Sequence, residues 1–115
     1  MIYKTLSIDE ISENDINYIK EKYPKRYEKA KKFHFKEDFL RCIGGYILLI
    51  RMVGDFEEEN VRYTPQGKPS IIGKPHYNIS HSGKYIVVAV SDKEIGVDIE
   101  LKKEKNINIE SPRNN

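Results

Sequence analysis

The sequence is poor in the features that mark secreted, membrane-spanning and thiolate-metal proteins. It has one cysteine, Cys42. A lone cysteine closes no internal disulfide, so a reducing compartment, the cytoplasm, is the expected setting. The start, Met1-Ile-Tyr-Lys-Thr, has no apolar signal segment. Apolar runs such as Tyr46 to Ile50 fall far short of the ~20 residues that cross a bilayer, so no membrane is expected. Charge of one sign is also scarce: 20 Lys and Arg against 18 Asp and Glu leave +2. That balance argues neither for nor against nucleic acid by itself, and the partners expected below do not include one. Several motifs are missing as well. There is no Gly-x-Ser-x-Gly elbow and no complete P-loop, and His76 and His81 have no Cys or acidic partner at zinc spacing.

What is present suits one small folded domain. The chain of 115 residues is 38% hydrophobic and 33% charged, polar but outside the disordered class. Residues 2–6 are β-prone. Ser12 offers an N-cap, followed by Ile16, Ile19 and Tyr23 at helical spacing up to Pro24, which suits the first turn of a second helix. Phe35, Phe39, Ile43, Tyr46, Ile47 and Ile50 give a strongly amphipathic pattern, predicting a helix over about 38–52. Gly44-Gly45 in its middle costs helix stability and points to close packing against another backbone.

An acidic connector, 54–60, separates this part from a strand-rich one. Val61-Arg62-Tyr63 reads as a short strand, and 65–75 as a loop punctuated by Gly and Pro. Strands are expected at 77–79, 85–90 and 95–101, the last two as a hairpin turning at 91–94. Helices first and strands second fit an α+β class, N-terminal helices packed on a small, mainly antiparallel sheet. The expected organisation is one lobe over 1–101 and a polar, frayed tail over 102–115.

Three groups of residues carry chemistry. Asp98 and Glu100, two apart on a strand, share a face, and hard oxygen donors so placed suit Mg²⁺; the plain alternative is a solvated edge. Asn78-Ile79-Ser80-His81-Ser82-Gly83 has hydrogen-bonding groups at almost every position, with Ile79 alone facing the core; a polar turn is the plain reading. Lys68 and Lys74 stand between Gly and Pro on stiff loops, and Arg26, Lys29, Lys31, Lys32 and Arg41 form a basic stretch. Together, two acids, several cations and hydroxyl and imidazole donors are how a protein grips a pyrophosphate.

Gly67-Lys68-Pro69, Tyr77-Asn78-Ile79-Ser80-His81-Ser82 and Ile95-Gly96-Val97-Asp98-Ile99-Glu100 resemble the 4'-phosphopantetheinyl transferases of the surfactin-synthetase-activating type, in the right order. The segment from Glu28 to Arg41, with Phe33, Lys36 and Glu37, is similar to that family's first helical region. The resemblance implies Mg²⁺-dependent transfer of 4'-phosphopantetheine from coenzyme A to a serine of an apo acyl or peptidyl carrier protein. By position it implies Asp98 and Glu100 as catalytic metal ligands. It implies coenzyme A contacts from Arg26, Lys29, Arg41, Lys68, Ser80 and His81, with His81 and Arg41 on the 3'-phosphate. It leaves open whether Lys68 or Lys74 fills the loop-lysine role.

The family is built as two similar lobes about a pseudo-twofold axis, so the chain reads as one half of that transferase fold. The second half's aromatic-x-x-Lys-Glu-x-x-x-Lys helix has no copy after Glu100; the pattern occurs here only at Phe33–Arg41. Two expectations follow. The chain is an inactive half with an exposed apolar face, or it is a homodimer in which a second chain brings its Glu37 to Asp98 and Glu100. The competing class is a non-enzymatic coenzyme A- or phosphate-binding module, or one that docks carrier proteins.

Overall fold

The computed structural model of the chain describes residues 1–92. Within them run β1 (Ile2–Ser7), α1 (Glu13–Lys22), α2 (Pro24–Lys31), α3 (Lys36–Val53), β2 (Val61–Tyr63), β3 (Pro69–Ile71), β4 (His76–Ser82) and β5 (Tyr85–Ser91). One 3-10 turn, Ile8–Glu10, follows β1, and another, Glu58–Asn60, precedes β2. The expected α+β class is borne out. Among the described residues no helix is long and apolar enough to cross a membrane.

Local chemistry sets the helix boundaries. The Ser12 hydroxyl accepts from the Asp15 N–H and the Asp15 carboxylate accepts from the Ser12 N–H, at 3.1 and 3.0 Å. This reciprocal cap satisfies two otherwise unpaired donors and starts α1. Pro24 stops α1 and opens α2, where its missing N–H costs nothing. α3 is the core element: Cys42 through Leu49 are all buried. It begins at Lys36, two residues earlier than the periodicity predicts. Phe35 is its N-cap residue and is 63% exposed, so the apolar stripe starts at Phe39.

The strands form an antiparallel sheet of order β1-β5-β4, with β5 central. Cross-strand partners share a face. The register therefore puts Leu6, Ile86, Val88, Ile79, Tyr77 and His81 on one face and Thr5, Val87, Asn78 and Ser80 on the other. The first face packs on α3, and α1 and α2 pack on α3 in turn. β2 and β3 form a separate ribbon, Val61 opposite Ile71.

Three sequence expectations change. The loop predicted over 65–75 contains β3, because its Gly and Pro residues shape the turn of a ribbon. Pro65 and Gly67 (φ 89°) build a turn in which the Gly67 N–H donates to the Thr64 carbonyl at 2.8 Å. β4 extends to Ser82, so Asn78–Ser82 lie on a strand rather than in a polar turn, and His81 shares the core-side face with Ile79. The turn is Gly83-Lys84, Gly83 having the positive φ (58°) that two-residue hairpins favour. Gly44 and Gly45 meet side chains, not backbone. A Cβ on Gly44 would collide with Ile86 Cδ1 and lie 2.7 Å from Ile11 Cδ1. The strand expected at 95–101, its hairpin and the tail lie outside the described residues.

Asp55 ties the connector to the helices. Its Oδ1 accepts from the hydroxyls of Tyr18 (2.6 Å) and Tyr23 (2.7 Å), and the Tyr23 hydroxyl accepts from the Phe56 N–H (3.1 Å). The two tyrosine hydrogen bonds hold the Asp55 pKa below its ordinary value. Burial pushes that of Tyr23 well up.

Gly44→Ala is expected to destabilise the fold by about 1–3 kcal/mol through overpacking, outweighing the up to ~1 kcal/mol that alanine gains in a helix. Urea unfolding tests this. An unchanged midpoint would mean that Ile86 and Ile11 move aside freely.

Candidate functional site

The N-terminus of α2 starts at Pro24 after Tyr23, whose side chain makes no capping bond. Glu58, from the connector, caps it instead: Oε1 accepts from the Lys25 N–H and Oε2 from the Arg26 N–H, at 3.0 and 2.9 Å. A carboxylate at this position also suits the positive end of the helix dipole. The cap fixes where Arg26 leaves the helix. Its Nε donates to the Cys42 carbonyl at 2.9 Å and its guanidinium lies 4.3 Å from the Tyr46 ring centroid. A Cβ at Gly45 would stand 3.0 Å from Arg26 Nη2, so the glycine leaves the space in which the guanidinium rests.

Around it lies a cleft of about 130 Å³ lined by Lys25, Arg26, Lys29, Tyr46, Glu58, Val61 and Tyr63. Burial raises the Tyr46 pKa to about 12, against the opposing pull of Arg26, so its hydroxyl stays protonated at neutral pH.

A second cluster sits one residue along α3. Arg41 Nη1 donates to the Gly83 carbonyl at 2.8 Å and Nη2 pairs with Asp38 Oδ1 at 2.5 Å. His81 stands beside this pair at the end of β4. Desolvation first, and then the Arg41 guanidinium, hold its pKa below the usual 6.5, with Asp38 opposing. Arg41 is next in sequence to Cys42, whose carbonyl holds Arg26, while its own guanidinium is held by Gly83 and Asp38.

The other expected residues are distributed around these clusters. Lys68 follows the β2–β3 turn, its N–H donating to Thr64 Oγ1 at 3.0 Å, on the ribbon whose Tyr63 lines the cleft. Lys74 is elsewhere: its ammonium donates to the Val53 carbonyl at 2.8 Å and caps the C-terminus of α3. Ser80 lies on the sheet face opposite His81. Glu37 is exposed in the first turn of α3. Asp98 and Glu100 lie outside the described residues. Among those described, no group of three or more His, Cys, Asp or Glu is placed to hold a metal ion. The arrangement offers rigid guanidinium donors and mobile ammonium groups to a ligand carrying more than one phosphate.

No protein-family model matches the chain. It is 36% identical over 87 residues to the 4'-phosphopantetheinyl transferase Sfp of Bacillus subtilis (strain 168), covering 70% of this chain and 39% of that protein. A second Bacillus subtilis 4'-phosphopantetheinyl transferase is 39% identical over 89 residues, 71% of this chain and 40% of that protein. The transferase gsp of Aneurinibacillus migulanus is 30% identical over 107 residues, 88% of this chain and 45% of that protein. The chain belongs to the 4'-phosphopantetheinyl transferase family. It spans less than half the length of these curated relatives.

Within this segment the motif residues Arg26 and Lys29 line the cleft, and Arg41 and His81 form a second cluster. Sequence reading missed Lys25, Asp38, Glu58 and Tyr63. Lys25 stands next to Arg26, and Asp38 is one turn before Arg41, so both were within reach of helical spacing. Glu58 and Tyr63 carry no local signal, since their roles depend on contacts more than 30 residues away.

Glu58→Ala removes a helix cap and is expected to cost about 1–2 kcal/mol in urea unfolding. A loss below a few tenths would overturn the capping role. His81 is expected to titrate below pH 6.5 by NMR, and to move up in Arg41→Ala, which deletes a repelling cation. Because the unfolded chain takes up this proton first, the stability tied to neutral His81 is present above pH 6.5. It is lost as the pH falls from there through the folded value.

Proposed function

We propose that the chain supplies the coenzyme A-binding wall of a 4'-phosphopantetheinyl transferase, over a lobe of residues 1–101. The observation that carries this reading is that the Arg26 guanidinium is anchored on the Cys42 carbonyl of α3, next in sequence to Arg41, which stands by His81. The relatives are named for this transfer, and these motif residues are the ones the family resemblance implies for coenzyme A. Arg26 and Lys29 bind phosphates, Arg41 and His81 take the 3'-phosphate, and Lys68 closes over the ligand from the ribbon. Lys74, engaged at the end of α3, is set aside. Ser80 contributes from the opposite face. β4 is an edge strand of the described sheet, so a ligand laid across its rim reaches both faces.

The reaction joins a carrier-protein serine to phosphopantetheine. The serine oxygen bonds to the phosphorus that bears the pantetheine arm, the bond from that phosphorus to the bridging oxygen breaks, and 3',5'-ADP leaves. The serine proton passes to a carboxylate base, for which Glu37 of a second chain is the candidate in the homodimer. Exposed Phe33 and Phe35, just before Glu37, offer that second chain an apolar surface. Asp98 and Glu100 provide the hard oxygen donors Mg²⁺ prefers, and the bound ion would neutralise pyrophosphate charge. The cytoplasm, where a lone buried cysteine stays reduced, suits this work.

Intact-mass spectrometry of an apo carrier protein incubated with the chain, coenzyme A and Mg²⁺ tests the reading. A phosphopantetheine adduct is expected, lost in Asp98→Ala and in Glu37→Ala. An adduct that survives Glu37→Ala overturns the dimer while keeping the transferase. Coenzyme A binding without any adduct turns the assignment into the binding module, and no coenzyme A binding at all overturns it.

A further inference from the structure

β1 is an edge of the described sheet, and its outer side is open. The strand order is β1-β5-β4, and the far edge, β4, has β3 beside it. The Ile8 N–H donates to the Lys84 carbonyl at 2.9 Å, one step beyond the Ser7–Tyr85 pair. In an antiparallel ladder, pairs that exchange hydrogen bonds alternate with pairs that do not. Counting back from Ile8, the backbone groups of Leu6, Lys4 and Ile2 turn inward to β5, and those of Ser7, Thr5 and Tyr3 turn outward. The Ser7 N–H is taken by Glu10 Oε1 at 2.9 Å, which agrees with this count and closes the outer side at that end. Among the described residues, no group takes the outward N–H and C=O of Tyr3 and Thr5.

Folded proteins blunt such an edge with charge, proline, a bulge or a covering segment. Here Ile2–Ser7 pairs with β5 residue for residue, without bulge or proline, and Lys4 is its one charge. Ile2 and Tyr3 are 64% and 67% exposed, on opposite faces of the sheet. An unpaired, apolar strand end is complementary to another of the same kind, and a second copy of the chain supplies one.

We propose that β1 is a self-association edge: two copies join by antiparallel β1–β1 pairing about a twofold axis, giving one sheet of order β4-β5-β1-β1-β5-β4. Outward groups must face outward groups, so engaging both Tyr3 and Thr5 puts the axis at Tyr3, Lys4 or Thr5. An axis at Lys4 sets two ammonium groups directly opposite, which is destabilising. An axis at Thr5 calls on the Ser7 N–H, already engaged with Glu10. The axis at Tyr3 avoids both. Tyr3 then faces Tyr3 of the second copy, Thr5 faces Met1, and Lys4 faces Ile2, so that two rings meet and the Lys4 stem covers an apolar side chain. A contact of residues 1–5 from each copy is small, so the dimer is weak and concentration-dependent. It leaves β4, with His81, at the two outer ends of the sheet. It rests neither on the transferase reading nor on the Phe33–Phe35 surface.

Sedimentation equilibrium of the full chain over a concentration series, with amide exchange by NMR on the same samples, tests this. A monomer–dimer equilibrium is expected. Exchange at the Tyr3 and Thr5 amides should slow as dimer forms, whereas the Lys4 and Leu6 amides are slow at every concentration. Tyr3→Pro deletes an outward N–H, which an edge strand tolerates. It should weaken the dimer by about 10-fold or more with the urea midpoint little changed, while Phe33→Ser/Phe35→Ser leaves the dimer intact. A monomer at every concentration overturns the proposal. A dimer kept in Tyr3→Pro but lost in Phe33→Ser/Phe35→Ser also does, and moves the contact to the junction of α2 and α3. Tyr3 and Thr5 amides that are slow at every concentration overturn it as well, since a segment of the same chain then fills the edge. The wild-type exchange pattern decides even where Tyr3→Pro loses its fold. No coenzyme A is present, so none of these outcomes touches the transferase reading.

Discussion

Two missing side chains on α3 govern both the packing and the site. At Gly44 the helix surface is bare, and the tips of Ile86 and Ile11 occupy the space a β-carbon would take. At Gly45, one residue on, Ile79 and the Arg26 guanidinium crowd in at 3.0 Å. Glycine in a helix interior costs up to ~1 kcal/mol relative to alanine. Here that cost brings the sheet close to α3 on one side and seats a cation against the helix on the other. The β4 edge, which carries His81, is therefore held near Arg41, and α2 is held near Cys42.

The acidic connector completes the arrangement. Asp55 binds the hydroxyls of Tyr18 and Tyr23, while Glu58 binds the first amides of α2, so a single short segment fixes both α1 and α2 against α3. The Asp55 and Glu58 carboxylates are each satisfied by hydrogen-bond donors, so neither takes a cation of the cleft as its partner. The same segment leads directly into β2 and Tyr63. Connector, α2 and ribbon are thus mechanically one unit around the cleft.

Much of the fold was legible because it depends on near neighbours. Ser12 capping with Asp15, Pro24 between two helices, and the stripe from Phe39 to Ile50 all arise within a few residues, where spacing and propensity act. β3 was hidden because Pro69 and Gly67 read as loop, whereas their role is to shape a two-stranded ribbon whose pairing is visible only in three dimensions. β4 was read too short because Ser80, His81 and Ser82 are polar; an edge strand tolerates that, since only alternate residues face the core. Around the cleft, Arg26, Lys29 and Arg41 stood out in the sequence as a basic stretch and through family motifs, while Lys25 did not. Nor did Glu58 and Tyr63, because a carboxylate in an acidic run and a tyrosine on a three-residue strand gain meaning only from what folds against them.

The two guanidinium groups are not equivalent to the lysines around them. Arg26 spends Nε on Cys42 and one face on Tyr46. Arg41 spends one donor on Gly83 and another on Asp38. Each retains further N–H donors, held in a fixed plane. Such groups lose little freedom when a phosphate binds and can select its position. Lys25 and Lys29, on flexible stems, add charge without fixing geometry. On the proposed reading the site separates two tasks between α2 and α3: the arginines decide where a phosphate sits, and the lysines raise the local positive potential. Asp38 tempers Arg41, so an incoming phosphate must either share that guanidinium with the carboxylate or displace it. On the proposed reading that competition is strongest at the His81 end, where the imidazole beside it is kept neutral until an anion arrives to favour its protonated form.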